Sequence, residues 1–174
     1  MDDVAIAAGV TKPVLYQHFP SKRALYRELL EDVGNRLVAA ITSAAAPAET
    51  DRERAQNGFA AYFGFVMDNH SAFRLLFGAS VRNDPEFAEV AQCVLKRLAG
   101  MVHPMISVDV TDNHRHAIAH SLVGVAEAVG RWALLDEQAE RDPEVLARWT
   151  AELAWYGLRG IRSESEATVR LGEP

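Results

Sequence analysis

The first 27 residues constrain the fold most strongly, because they contain two short helical segments separated by a glycine. Residues 4–8 have an apolar helical pattern that stops at Gly9, a residue type that adopts positive φ without steric cost. Thr11 is a suitable N-cap for the second helix, and Pro13 falls in its first turn, where backbone N–H groups lack intrahelical acceptors. We expect this helix to end before Pro20. The pattern predicts a helix-turn-helix, whose second helix enters the major groove of DNA.

A longer motif covers residues 4–26 and includes the pattern Ala-Gly-Val-Thr-Lys-x-x-Leu-Tyr-x-His-Phe-x-Ser-Lys-x-x-Leu-Tyr. It resembles the DNA-binding region of tetracycline-repressor-type (TetR family) transcriptional regulators, in register and without a gap. The resemblance implies a homodimeric, ligand-responsive repressor. Family members carry a further helix ahead of the position at which this sequence starts. We therefore expect the three-helix DNA-binding bundle to lack its first helix here, and this form to bind its operator weakly.

The second predicted helix carries the candidate DNA contacts. Because Leu15 and Phe19 share a face, we expect them to pack inward. The candidates on the other side and in the flanking residues are Thr11, Lys12, Val14, Tyr16, Gln17, His18 and Lys22. Glutamine can pair with adenine and valine can contact a thymine methyl, whereas the tyrosine and lysines suit phosphate contacts. The alternative is an ordinary solvated helix face, but the match of the whole motif favours DNA binding.

The remaining chain predicts an all-α protein, since apolar residues recur with helical spacing and sustained strand-like alternation is lacking. We predict a DNA-binding domain over residues 1–44, with the helix over residues 22–46 linking it to an effector-binding and dimerisation domain over residues 45–174. Apolar residues make up 49% and charged residues 24%, a composition typical of folded globular domains.

The charge distribution indicates the kind of partner, and the lack of targeting signals indicates the cellular compartment. Its net charge is −6, yet residues 1–27 carry +2 and the rest carries −8, which suits a protein that contacts phosphate at one end. No apolar run approaches the roughly 20 residues of a membrane span, and the acidic N-terminus does not indicate a secretory signal. The lone Cys93 cannot form an internal disulfide. We expect a cytoplasmic protein without a membrane partner.

Two C-terminal helices are candidates for the dimer interface. The helix over residues 113–136 has two adjacent apolar stripes, and such a helix needs two partners. The small-residue stripe of this helix and the apolar positions of the last helix are the predicted interface: Ala119, Val123, Ala126, Gly130, Ala133, Trp149, Leu153 and Tyr156. The resemblance implies that both helices pair with their copies in a four-helix bundle. The alternative is that both stripes are used within one monomer.

The middle of the chain is rich in large apolar side chains that could line an effector cavity. The resemblance places the effector among these helices, although each residue could equally belong to the core. The candidates are Phe59, Tyr62, Phe63, Val66, Asn69, His70, Phe73, Arg74, Phe77, Met101 and Met105. Asn69, His70 and Arg74 would orient the effector. We expect an apolar or aromatic ligand.

Neither a metal, a cofactor nor an enzyme activity is predicted. His116 and His120 lie four residues apart on one helix face, but no acid stands at an obvious third position, so we interpret them as a solvated or capping pair. Cys93 is expected to be a buried thiol in an apolar helix. The sequence contains no phosphate loop, nucleophile elbow or convincing carboxylate pair.

The sequence thus predicts a ligand-responsive regulator, most simply a repressor, that binds a near-palindromic operator as a homodimer. The alternative is a helical ligand-binding and dimerisation module that does not bind DNA in this form. A helical enzyme is a third alternative, which the lack of an acid/base or metal constellation disfavours.

Overall fold

The structure, a computed structural model, describes residues 1–78 and 83–161, and in these residues it contains helices and no strand. The all-α prediction is confirmed. The predicted second domain extends beyond residue 161, outside the described residues. The elements are α1 (Asp2–Ala7), α2 (Lys12–His18), α3 (Lys22–Ala45), α4 (Asp51–Asp68), α5 (His70–Phe77), α6 (Pro85–Val102), a short 3-10 helix (His103–Met105), α7 (Asp112–Leu135) and α8 (Pro143–Arg159).

Side-chain caps explain where the long helices begin. The Ser21 hydroxyl accepts a hydrogen bond from the Ala24 amide at 3.0 Å and starts α3. The N-cap of α4 is a capping box, in which Thr50 and Glu53 each accept from the other's backbone amide at 3.1 Å. Helices α6 and α8 each begin with an aspartate cap followed by proline. These caps satisfy amides that would otherwise lack acceptors.

The main core lies between α3, α4 and α6, with α7 packed against α6 and α4 and with α8 packed against α4. Its most deeply buried large side chains are Phe63, Leu30, Leu37, Leu76, Leu146 and Val66. Helices α3 and α6 approach closely at Gly34, where an added Cβ would lie 2.3 Å from Val94 Cγ2. The linking helix α3 is therefore part of the core of the body and also carries the N-terminal tip.

A second, smaller cluster joins the end of α6, the following loop and α7. Its buried members are Ala99, Ile106, Ile118 and Ala119. This cluster holds the loop of residues 103–111 against the body, and the loop forms one wall of the cavity described below.

Of the helices in the described residues, α7 alone has the length and mean hydropathy that a membrane span would need. The packing of the helix accounts for this composition in another way. One face is buried against α4 and α6 through Ala126 and Ala133, while the opposite face exposes Trp132 and Leu135. The Glu127–Arg131 ion pair also lies on α7.

Candidate DNA-binding surface and ligand cavity

The N-terminal tip holds α2 in a fixed orientation. Gly9 has φ +67, the left-handed conformation predicted for the turn. The Val10 amide donates to the Ala5 carbonyl at 3.0 Å. Ala5 and Leu15 are buried, which fixes the inward faces of α1 and α2. The remaining sides of α2 consequently face solvent.

All seven predicted DNA contacts are exposed on α2 or beside it: Thr11, Lys12, Val14, Tyr16, Gln17, His18 and Lys22. Leu15 is 6% exposed and Phe19 is half-buried, as expected for the inward face. Val14 and Gln17 lie three residues apart and so share one side of the helix. The geometry suits insertion into a major groove, and the individual contacts stay predictions.

One predicted contact has a competing partner within the chain. The Lys12 ammonium lies 2.8 Å from the Asp2 carboxylate. Their hydrogen bond and charge attraction raise the pKa of Lys12 and lower the pKa of Asp2. Both side chains are well exposed, so this ion pair is open to exchange with a DNA phosphate.

A cluster of ionic and aromatic contacts joins the start of α3 to the start of α6. Arg23 lies 2.6 Å from the Asp84 carboxylate and 2.5 Å from that of Glu86. Its guanidinium also stands 4.9 Å from the centre of the Phe87 ring, and that ring contacts Tyr26. We call these five residues the α3–α6 clamp. The partners are about sixty residues apart in the chain, and no local sequence signal indicates the contact.

A cavity of about 510 Å³ lies in the body, between α3, α4, α6, α7 and α8. This volume is within the range of small-molecule sites. Its lining is mainly apolar and includes Ile41, Gly58, Phe59, Tyr62, Leu98, Met101, Met105, Ile106, Leu122, Val123, Ala126, Trp155 and Leu158. Lining residues recur along one face of α4 from Asp51 to Tyr62, a span of about 16 Å at the rise of an α-helix. The cavity is therefore elongated along α4.

Polar groups gather at the Asp51 end of the cavity. The Arg54 guanidinium lies 2.8 Å from the Asp51 carboxylate, and the Ser107 hydroxyl donates to the same carboxylate at 2.8 Å. Arg159 also lines the cavity and lies over the Trp155 ring. The site thus combines an apolar channel with a charged, hydrogen-bonded end.

Tyr62 contributes a buried hydroxyl to the cavity wall. The side chain is 4% exposed, and within the described residues its hydroxyl has no hydrogen-bond partner. Burial, with the negative charge of Glu127 adding to it, raises the pKa of Tyr62. The hydroxyl therefore stays protonated in the folded protein and can donate to a partner.

Four of the eleven predicted pocket residues line the cavity: Phe59, Tyr62, Met101 and Met105. Four others are buried in the main core instead: Phe63, Val66, Phe73 and Phe77. The three predicted polar contacts, Asn69, His70 and Arg74, also lie outside the cavity lining. The Asn69 side chain instead accepts a hydrogen bond from Arg36 and donates one to the Phe65 carbonyl. The expected role of this trio is therefore corrected: the polar end is formed by Asp51, Arg54 and Ser107.

The predicted dimer residues divide into two groups. On α8, Trp149, Leu153 and Tyr156 are 49%, 64% and 66% exposed and are available to a second chain. On α7 the prediction was wrong, because Ala119, Ala126, Gly130 and Ala133 are buried within the monomer and Val123 lines the cavity. Small residues here let α7 approach its own core. The exposed face of α7 instead carries Ala117, Ser121, Gly124, Ala128, Trp132 and Leu135.

The expectation for Cys93 was also wrong, because its thiol side is exposed rather than buried. It lies on α6 beside Val94, and it is Val94 that faces the core.

Comparisons with known proteins agree with this architecture. The profile described as "Bacterial regulatory proteins, tetR family" matches residues 1–29, and that described as "Tetracyclin repressor-like, C-terminal domain" matches residues 52–157. The HTH-type transcriptional activator FasR of Mycolicibacterium smegmatis is 32% identical over 164 residues, which cover 92% of this chain and 74% of FasR. The HTH-type transcriptional regulator EthR of Mycobacterium tuberculosis is 35% identical over 91 residues, 52% of this chain and 42% of EthR.

Solved structures give the same picture of the fold. A TetR-like transcriptional regulator from Rhodococcus sp. RHA1 superposes with a TM-score of 0.72 at 28% identity, covering 92% of this chain and 84% of that one. The fatty acid degradation regulator FadR from Bacillus halodurans has a TM-score of 0.73 at 20% identity, covering 92% and 88%. The second likeness concerns the fold alone.

Proposed function

Because the chain belongs to the TetR family of bacterial regulators, which are DNA-binding transcriptional regulators and not enzymes, we propose that it is a homodimeric, ligand-controlled repressor. In this proposal it works in the cytoplasm, binds a near-palindromic operator through two copies of α2, and leaves it when a ligand fills the cavity. The observation that carries the proposal is the orientation of α2, whose seven candidate contacts are all exposed while Leu15 anchors it.

The dimer is supported by the outer surface of α7 and α8. Trp132, Trp149, Leu153 and Tyr156 expose 43% to 66% of their surface on these two neighbouring helices. Clustered apolar side chains of this size are typical of a protein interface. A symmetric pairing of this surface would also place two copies of α2, one for each half of a palindromic site.

The ligand we propose is an elongated, mainly apolar molecule with one polar end. Its apolar part would lie along α4, where Gly58 leaves room beside Phe59 and Tyr62. Its polar end would lie near Arg54 and Ser107, which already form a hydrogen-bonded cluster with Asp51. Polar groups at one end of a site fix the orientation of a ligand, while the apolar channel supplies affinity.

Helix α6 is the element that would link ligand and DNA. Its C-terminal end contributes Leu98, Met101 and Val102 to the cavity. About 22 Å away along the helix, Glu86 holds Arg23 in the α3–α6 clamp, next to Lys22 and the end of α2. A ligand that favours a shifted position of α6 would change the spacing of the two α2 helices in the dimer. The affinities for DNA and for ligand would then be coupled.

Repression is the simplest outcome of a dimer that occupies promoter DNA. FasR, in contrast, is named an activator. Whether this chain represses or activates transcription is tested directly by a reporter gene placed behind the chain's own upstream DNA. We expect expression to rise when the gene for this chain is deleted. A fall in expression would contradict repression and would make the chain an activator.

DNA binding itself is tested by fluorescence anisotropy with a labelled fragment of that upstream DNA. We expect Gln17→Ala to weaken binding to this fragment by about tenfold, in line with 1–3 kcal/mol for a bidentate base contact. Gln92→Ala is the matched control, because it makes the same substitution at an exposed glutamine of α6, outside the helix-turn-helix. Equal affinities of the wild type, Gln17→Ala and Gln92→Ala would refute the recognition role of α2.

The dimer is tested by sedimentation of the wild type and of Leu153→Glu. We expect the wild type to sediment as a dimer and the variant as a folded monomer, since a buried unpaired carboxylate is costly. Arg148→Glu is the control, because Arg148 is an exposed charged residue of the same helix. A monomeric wild type would contradict the proposed assembly.

A further inference from the structure

Three potential metal ligands converge where the loop after α6 enters α7. His103 is the first residue of the 3-10 helix, Asp112 is the first residue of α7, and His116 follows one turn later. His103 Nε2 lies 3.2 Å from Asp112 Oδ1, and His116 Nδ1 lies 3.3 Å from Asp112 Oδ2. The three ligand atoms all lie within 4.8 Å of one another. The carboxylate thus stands between two imidazoles.

These separations are close to those of a metal site. A tetrahedral ion bound at 2.0–2.1 Å keeps its ligand atoms about 3.3 Å apart. The two nitrogen–oxygen distances, one to each oxygen of the Asp112 carboxylate, are near this value. Two imidazoles and one carboxylate are also a ligand set that zinc and similar divalent transition ions use when a further position is left for water.

The state of His103 is the second observation that points to a ligand. Its Nε2 atom is buried and, among the described residues, has no hydrogen-bond partner of good geometry, although the Asp112 oxygen is near. A buried ring nitrogen without a hydrogen bond is costly unless something satisfies it. A metal ion held between His103 and Asp112 would do so.

His116 can adopt the form that a metal requires. Its Nδ1 faces Asp112, with the carboxylate at 3.3 Å and the backbone carbonyl at 3.0 Å. The side chain is 57% exposed. When Nδ1 binds a metal, the ring proton resides on Nε2, which can donate to water at this exposure.

We propose that His103, Asp112 and His116 form a binding site for a divalent transition metal ion of the zinc type. The sequence pattern pairs His116 with His120, a pair for which it indicates no third ligand. The acid lies one turn before His116, and the second imidazole comes from the preceding helix through the loop.

The position of the site indicates what the ion would do. It would join the end of α6 to the start of α7 and so close the loop of residues 103–111. Met105, Ile106, Ser107 and Val108 of this loop line the cavity. Metal binding would therefore hold one wall of the cavity in place, without itself contacting a ligand there.

The test is zinc titration by calorimetry with the tag-free 174-residue chain. A Cys93→Ser background removes the exposed thiol as a rival ligand. His103→Gln, Asp112→Asn and His116→Gln each remove one proposed ligand. His120→Gln is the matched control, because it makes the same substitution at an exposed histidine of α7 outside the cluster. Circular dichroism establishes whether each variant is folded. If His103→Gln unfolds, the test rests on His116→Gln, because His116 is exposed.

We expect one ion per chain, with affinity reduced at least about tenfold in each of the three variants and unchanged in His120→Gln. Zinc should also slow hydrogen exchange in residues 103–111 of the background protein and not of His116→Gln. Absence of zinc binding at millimolar metal, or equal losses in His116→Gln and His120→Gln, would overturn the proposal.

Discussion

The close approach of α3 and α6 at Gly34 makes the sharpest prediction about how this fold is held together. A Cβ at position 34 would lie 2.3 Å from Val94 Cγ2, whereas carbon atoms in contact normally stand 3.5–4.0 Å apart. Gly34→Ala must therefore push the two helices apart or force Val94 from its rotamer. Both residues are buried, so neither change is free.

The expected magnitude follows from two opposing terms. Overpacking a core costs about 1–3 kcal/mol, and alanine gains about 0.8–1.0 kcal/mol over glycine within a helix. Gly34→Ala should therefore destabilise the fold by about 1 kcal/mol. Val94→Ala alone removes two buried methyl groups and should cost about 2 kcal/mol. In the double variant the clash is gone and the new methyl occupies part of the space, so it should be about 2 kcal/mol more stable than additivity predicts.

Urea unfolding of the four proteins in this double-mutant cycle measures the coupling. Gly64→Ala is the matched control, because a Cβ at position 64 of α4 would meet nothing within 4 Å among the described residues. It should stabilise the protein slightly and add to Val94→Ala without coupling. Additive effects of Gly34→Ala and Val94→Ala, within about 0.5 kcal/mol, would refute the close packing of α3 on α6.

Four further outcomes follow from the cavity and the clamp. Gly58→Leu should fill the cavity and abolish the thermal shift caused by ligand while leaving DNA affinity intact, whereas Gly64→Leu should preserve both. Arg23→Gln should leave DNA binding measurable by anisotropy, but the ratio of dissociation constants with and without ligand should fall towards one, because the α3–α6 clamp is broken. Tyr62→Phe should stabilise the fold by about 1 kcal/mol in urea unfolding, because it removes a buried hydroxyl without a partner. Burial raises the pKa of Tyr62, so the unfolded chain ionises first; wild-type stability should fall as the pH rises above about 10, and less so in Tyr62→Phe.

The sequence predicted most reliably what local physics determines. The turn at Gly9 and the inward face of α2 follow from backbone freedom and a helical period, and both are present. The long helices α3 and α4 begin at the side-chain caps Ser21 and Thr50, which also act within a single turn. Each of these features depends on residues within one or two turns of one another.

Features that depend on which helices meet were not predictable in the same way. The two apolar stripes of α7 were recognised, but either could have faced the core, and small residues such as Gly130 suit close packing inside a monomer as well as between monomers. Phe63 and Phe59 have similar sequence surroundings on α4, yet only Phe59 faces the cavity. The clamp between Arg23 and Glu86 and the grouping of His103 with His116 arise from long-range packing and loop closure.

The central claim is that α2 reads base sequence, and selection of binding sites from a random DNA pool tests it most directly. We predict that the wild type enriches a near-palindromic sequence, that Gln17→Ala loses preference at one symmetric pair of positions, and that Lys22→Ala weakens binding without changing the preference. Enrichment of no sequence by the wild type, or the same preference from Gln17→Ala, would contradict the account.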